Sequence, residues 1–98
     1  MPIQGALAYE EVAVEGTAIG IASVGDNMQA GAAFITVEDA QISFNVDGST
    51  PTSTAGHLAN PGDVIELTDG GEVRQFLAIR TGGVSATIKS TLGAQYIP

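Results

Sequence analysis

His57 is the single histidine of the chain, and three hydroxyl residues, Ser49, Ser53 and Thr54, stand close before it. A histidine beside a serine is the pair that acyl transfer uses, because the imidazole takes the hydroxyl proton as the oxygen attacks. That chemistry also needs an orienting acid and a nucleophile raised on a strand-turn-helix elbow. No G-x-S-x-G pattern frames these hydroxyls, so His57 reads as a hydrogen-bonded or solvated loop residue. Asp47-Gly48-Ser49-Thr50 offers oxygens to a cation, but it lacks the alternating acids and closing glutamate of a helical calcium loop. Asp-Gly is a tight-turn dipeptide: glycine accepts positive φ and aspartate bonds its own backbone. Two carboxylate pairs, Glu10-Glu11 and Glu38-Asp39, are adjacent in sequence. Neighbours on a strand face opposite ways, so neither pair makes an acid/base couple. Gly70-Gly71 and Gly82-Gly83 read as turns that open no helix, hence as no phosphate cradle. No catalytic, cofactor-binding or metal-ligating set is expected, and the chain reads as a non-enzyme.

The bulk composition narrows the partners. Ninety-eight residues make one domain, 1–98. The chain is 44% apolar, with three Phe, two Tyr and no Trp. A core of small residues in a chain this short points to help from an oligomer or a partner surface. Cysteine is absent, so there is no disulfide framework and no thiolate metal site. No apolar run approaches the ~18 residues that span a bilayer, and the basic start of an export signal is missing, so no membrane role and no export are expected. The net charge is −8, and all eleven acids lie between Glu10 and Glu72. The three fixed bases, Arg74, Arg80 and Lys89, all follow them. Nucleic-acid binding therefore has no electrostatic footing, while a basic partner surface would be attracted.

Strands and turns run throughout. Residues 12–21 are β-branched and glycine-punctuated, which suits one or two strands with a bend. A short helical turn fits within 27–33, and residues 34–37 form a strand. Glu38-Asp39 reads as the solvated tip of a hairpin into residues 40–46. Residues 63–67 form another strand, and 73–80 one more, with a helical turn at 72–75. Residues 84–90 alternate cleanly, apolar at Val84, Ala86 and Ile88. Short strands at regular spacing, with glycine-rich turns and no helix long enough for a βαβ crossover, predict an all-β fold. The expected architecture is a small antiparallel β-sandwich or barrel, jelly-roll or immunoglobulin-like.

Between the strands at 41–46 and 63–67 lies a long decorated loop. Its start, FNVDGSTPT at 44–52, resembles the turn after a strand in two sets of small β-sandwich modules. One set is the chitobiase-C-terminal-like accessory domains of secreted carbohydrate enzymes. The other is a set of short virion proteins of tailed bacteriophages. In the phage pattern the turn is followed by a Gly, a Leu, a Pro/Ala-Gly-Asp/Glu turn and a strand, then a Phe and Ile strand and an alternating last strand. The chain supplies Gly56, Leu58, Pro61-Gly62-Asp63, VIEL at 64–67, FLAI at 76–79 and VSATIKS at 84–90, in that order. Phe44 and Asn45 stand where the phage pattern often has an aromatic and a basic residue, and residues 1–32 lie outside the likeness. The resemblance implies a capsid decoration (cement) protein, located on the virion's capsid surface and made in the host cytoplasm. It would bind the outside of the major capsid protein shell as a homo-oligomer, with a trimer favoured. A tail or neck protein is a variant of that reading. A carbohydrate-binding module is the alternative, with few aromatics to stack on sugars.

The apolar ends complete the expectation. Residues 1–11 read as a candidate N-terminal arm able to add a strand to a neighbour, or else to the protein's own sheet. Ile3, Leu7, Tyr9, Tyr96 and Ile97 are the expected partner contacts.

Overall fold

Alternating strands bury one face each, and in the computed structural model of this chain, which describes residues 3–97, they stack into two sheets. The strands are β1 (Ile3–Val14), β2 (Ala32–Val37), β3 (Ile42–Asn45), β4 (His57–Ala59), β5 (Val64–Leu67), β6 (Leu77–Arg80) and β7 (Ala86–Tyr96), with one short helix, α1 (Gly70–Gln75), between β5 and β6. One sheet has the order β1-β7-β2-β5, the other β4-β3-β6. Every strand pair is antiparallel. The fold is all-β and antiparallel, and its two separate sheets make it a sandwich rather than a closed barrel.

The inner faces explain the packing. Val12, Val14, Ile35, Val37, Leu67, Ile88 and Leu92 line the four-stranded sheet; Ile42 and Ala78 come from the other, and Phe76 and Val73 from the helix and its exit. Phe76 is the single aromatic among the fully buried side chains, so the interior is built largely from aliphatic residues. Two buried polar groups are satisfied: Ser43 Oγ donates to the Ala55 carbonyl at 3.1 Å, and Ser90 Oγ to that of Glu10 at 3.3 Å.

Several expectations are corrected. Residues 34–37 and 40–46 do not form a hairpin, because β2 pairs with β5 and β7 while β3 pairs with β4 and β6. Val37 and Ile42 are both buried, so the chain crosses from one sheet to the other there and shares the core between them. Glu38-Asp39 is that crossing, docked on β7: Glu38 N–H donates to the Thr87 carbonyl and Asp39 Oδ1 accepts from Thr87 N–H at 2.7 Å. The helical turn expected within 27–33 sits earlier, as a 3-10 turn at Ala22–Asp26. Val84 is 72% exposed and precedes β7 rather than starting it. Residues 57–59, read as loop, form β4 against β3.

Gly70-Gly71, expected as a plain turn, forms the first turn of α1 because the helix is capped at its N-terminal end. Asp69 Oδ1 accepts from Glu72 N–H at 2.8 Å, and Glu72 Oε1 accepts from Thr68 N–H at 2.8 Å. Asp69→Ala should therefore destabilise the domain by about 1 kcal/mol, measured by urea unfolding with an unchanged m-value.

The sheet edges differ in cover. Residues 15–19 lie along β6: Arg80 N–H donates to the Glu15 carbonyl, and Ile19 and Ala78 exchange a pair of backbone bonds at 2.9 Å. Among the described residues no strand pairs with the outer edge of β1, β4 or β5.

Candidate functional site

The outer face of the four-stranded sheet follows from its register. Tyr9 pairs with Thr91, Thr91 with Phe34 and Phe34 with Glu66, which makes one row across all four strands. The next row is Glu11, Lys89, Thr36 and Val64. Two aromatic rings thus stand on one face, two strands and roughly 10 Å apart. Tyr9 is 58% and Val64 51% exposed. Around them lies a charged lattice. Tyr9 Oη donates to Glu11 Oε2 at 3.1 Å, Thr36 Oγ1 to Glu38 Oε2 at 2.7 Å, and Lys89 Nζ stands 3.4 Å from Glu38 Oε1. The Thr36 bond, helped by Lys89, holds the Glu38 carboxyl below its ordinary range, and Glu38 in turn raises Lys89. Partial desolvation and the Glu11 carboxylate raise the Tyr9 phenol. The face is part apolar and net acidic, a character suited to a partner surface with apolar patches and basic groups.

Four of the five expected contact residues, Ile3, Leu7, Tyr9 and Tyr96, fall on the β1–β7 pair, and Ile97 follows the end of β7. Ile3 lies opposite Tyr96 and Tyr9 opposite Thr91. The described part of the candidate arm, residues 3–11, is in β1 and pairs with β7 of the same chain; residues 1 and 2 lie outside the described residues. β2 begins at the Ala32–Gly93 pair, so Ile3, Gln4, Gln95 and Tyr96 continue as a two-stranded ribbon beyond it. A β-bulge between Ala6 and Ala8 bends the ribbon. Ile3 reaches over Gly93 and fills the space a side chain there would need. Leu7 packs against the core, whereas Ile97 is 50% exposed. Tyr9 and Ile97 are thus the best exposed of the five, Ile3 and Tyr96 are half-buried, and Leu7 is committed to the fold.

The candidate chemical groups are dispersed. His57 is on β4 with its ring 5.6 Å from that of Phe44, and among the described residues it bonds none of Ser49, Ser53 or Thr54. Asp47 accepts from Ser49 N–H at 3.0 Å and Gly48 has φ 87°, so this is an Asx-stabilised turn. The Ser49 hydroxyl and backbone bonds hold the Asp47 carboxyl below its ordinary value. Glu10 and Glu11 face opposite ways as expected: Glu10 Oε1 accepts from Ser23 N–H at 2.7 Å, and Glu11 serves Tyr9. Among the described residues no group of three or more His, Asp or Glu is placed to hold a metal. Among the described residues no helix is long and apolar enough to cross a membrane.

No protein-family model, no curated protein and no solved structure matches this chain.

Sequence reasoning passed over Phe34 and Val64 as surface residues. Phe34 alternates with Ile35, so both faces of β2 carry an apolar residue and the pattern alone does not say which turns outward. Only the pairing of β2 between β7 and β5 decides it.

Proposed function

We propose that this chain is a structural protein of a tailed-bacteriophage virion, a capsid decoration (cement) protein that binds the outer surface of the major capsid protein shell and stabilises it. It would act by binding alone, as a homo-oligomer, with a trimer favoured. The observation that carries the reading is the outer face on which exposed Tyr9 and Val64 flank half-buried Phe34, rimmed by Glu11, Glu38 and Glu66. The ordered likeness of residues 40–90 to short phage virion proteins supports the same reading. A shell repeats its binding site by symmetry, so modest contacts at each copy suffice for firm attachment once an oligomer engages several sites. The open edge of β1 offers a route to strand addition, and its acids, Glu10 and Glu11, favour a basic partner strand.

Point substitutions test this better than truncation, because removing residues 3–9 would strip β7 of its partner strand and the core of Leu7. Tyr9→Ser with Val64→Ser alters two exposed side chains and should leave urea stability within about 0.5 kcal/mol. Their contact area predicts about 2 kcal/mol less binding energy, hence a roughly 30-fold weaker attachment to expanded shells. Unchanged attachment would remove this face from the interface. A tail or neck location predicts binding to those assemblies instead.

A second reading, a carbohydrate-binding module, is favoured by the spacing of Tyr9 and Phe34 on one sheet face, since aromatic rings stack on sugars. A glycan array with no bound sugar would exclude it.

A further inference from the structure

We propose that Arg80 and the hydroxyls around it form a binding site for a monocarboxylate, independent of the shell-binding reading. A surface cavity of about 400 Å³ is lined by Gly16, Thr52, Ser53, Ile79, Arg80, Thr81 and Gly82. That volume lies in the range of small-ligand sites.

The chain carries eleven acids and three fixed bases. In such a chain a fixed positive charge would ordinarily be claimed by a carboxylate. Lys89 is, by Glu38. Arg80 is half-buried, yet among the described residues its side chain makes no ion pair and no hydrogen bond. The acid next along the covering segment, Glu15, accepts from Ser85 Oγ at 3.2 Å instead. The guanidinium lies over Gly16, with Nη2 3.4 Å from where a Cβ there would stand, so the absence of a side chain at Gly16 makes room for it on the cavity wall.

The other polar groups are also placed to donate. Thr52 Oγ1 accepts from Ala55 N–H at 3.0 Å, which leaves its own proton to give. The Ser53 hydroxyl is exposed and has no partner among the described residues. Thr81 Oγ1 donates to Gln41 and braces the wall behind Arg80. A guanidinium fork with two free hydroxyl protons is a donor set for an oxyanion, and the planar fork matches a carboxylate in bidentate fashion. One positive charge within a chain of net charge −8 favours a monoanion over a phosphate dianion.

The test is an amide NMR titration of the full chain with acetate, glucuronate, blocked aspartate and inorganic phosphate, each against sodium chloride at equal ionic strength. Saturable shifts at Ser53, Thr81 and Gly82, with millimolar affinity, are expected. Tighter binding of glucuronate would mark a sugar acid as the natural source, and tighter binding of blocked aspartate an acidic side chain. Arg80→Gln should weaken binding about 10–100-fold, as losing a charge-assisted pair predicts. Its spectrum reports directly whether the fold survives, and Ser53→Ala, at an exposed site, should weaken binding with the fold intact. Non-saturating shifts, equal affinity in the Arg80→Gln protein, or phosphate binding as tightly as acetate at neutral pH would each overturn the proposal.

Discussion

Phe76→Ala is expected to remove about 3–5 kcal/mol of folding stability, the cost typical of emptying a buried aromatic site. Phe76 is 1% exposed and sits at the exit of α1, its ring 5.8 Å from that of Phe44 on β3. The core it belongs to is otherwise aliphatic and drawn mostly from two sheets, whose strands are fixed by their ladders and cannot close over the space. Small domains have about 5–15 kcal/mol in all, so this loss is a large part of the whole. Each kcal/mol lowers the melting temperature of a domain this size by about 4–8 °C. Phe76→Leu, which keeps most of the volume, should cost about 1.5 kcal/mol. A loss below about 1 kcal/mol for the alanine protein would contradict the placement of Phe76 between the sheets.

Gly56→Ala should be nearly as damaging, for a different reason. Gly56 has φ 137°, a conformation that residues with a Cβ rarely adopt. A Cβ there would also collide with Ser43 Oγ and stand 3.2 Å from the Phe44 carbonyl and 3.3 Å from Pro51 Cβ. Ser43 Oγ is the group that holds the long loop to β3 through the Ala55 carbonyl, and Ser43 is fully buried. Backbone strain of about 1–3 kcal/mol and overpacking of about 1–3 kcal/mol add to an expected loss of about 3–5 kcal/mol. Gly62 separates the two contributions. It has φ 91° but open space around its Cβ position, so Gly62→Ala should cost only the strain, about 1–2 kcal/mol. Equal losses at the two glycines, measured by urea unfolding, would show that the contacts of Gly56 carry no weight.

The long loop, residues 47–56, is therefore a built part of the sandwich. It leaves β3 through the Asp47-Gly48 turn, buries Pro51, and returns through Gly56 to pair β4 with β3. Asp47-Gly48 was legible because aspartate and glycine each have a local reason to turn. β4 was not, since His57-Leu58-Ala59 is short and two of its three residues are exposed. Its register depends on β3, far from it in sequence. The strands at β2, β3, β5 and β6 were legible from β-branched and aromatic runs between turns. Which strands pair was not, because Val37 and Ile42 are equally apolar whether the chain reverses within one sheet or crosses to the other. The ends were legible as apolar but not as a paired ribbon. The candidate face was half legible: Tyr9 is a solitary aromatic at the junction of Ala6-Leu7-Ala8 with Glu10-Glu11, but Phe34 and Val64 join it only through long-range pairing. Arg80 carries no sequence signal beyond being one of three bases, since its lack of a carboxylate partner is a property of the folded chain alone.

The central claim is that this sandwich is a shell-binding body. The direct measurement is co-sedimentation of the purified protein with expanded phage capsid shells that lack it, counting copies bound per shell. The account predicts saturation at a number set by the shell's symmetry, with decorated shells surviving more heat than bare ones. Absence of any saturable binding to the shells would contradict it.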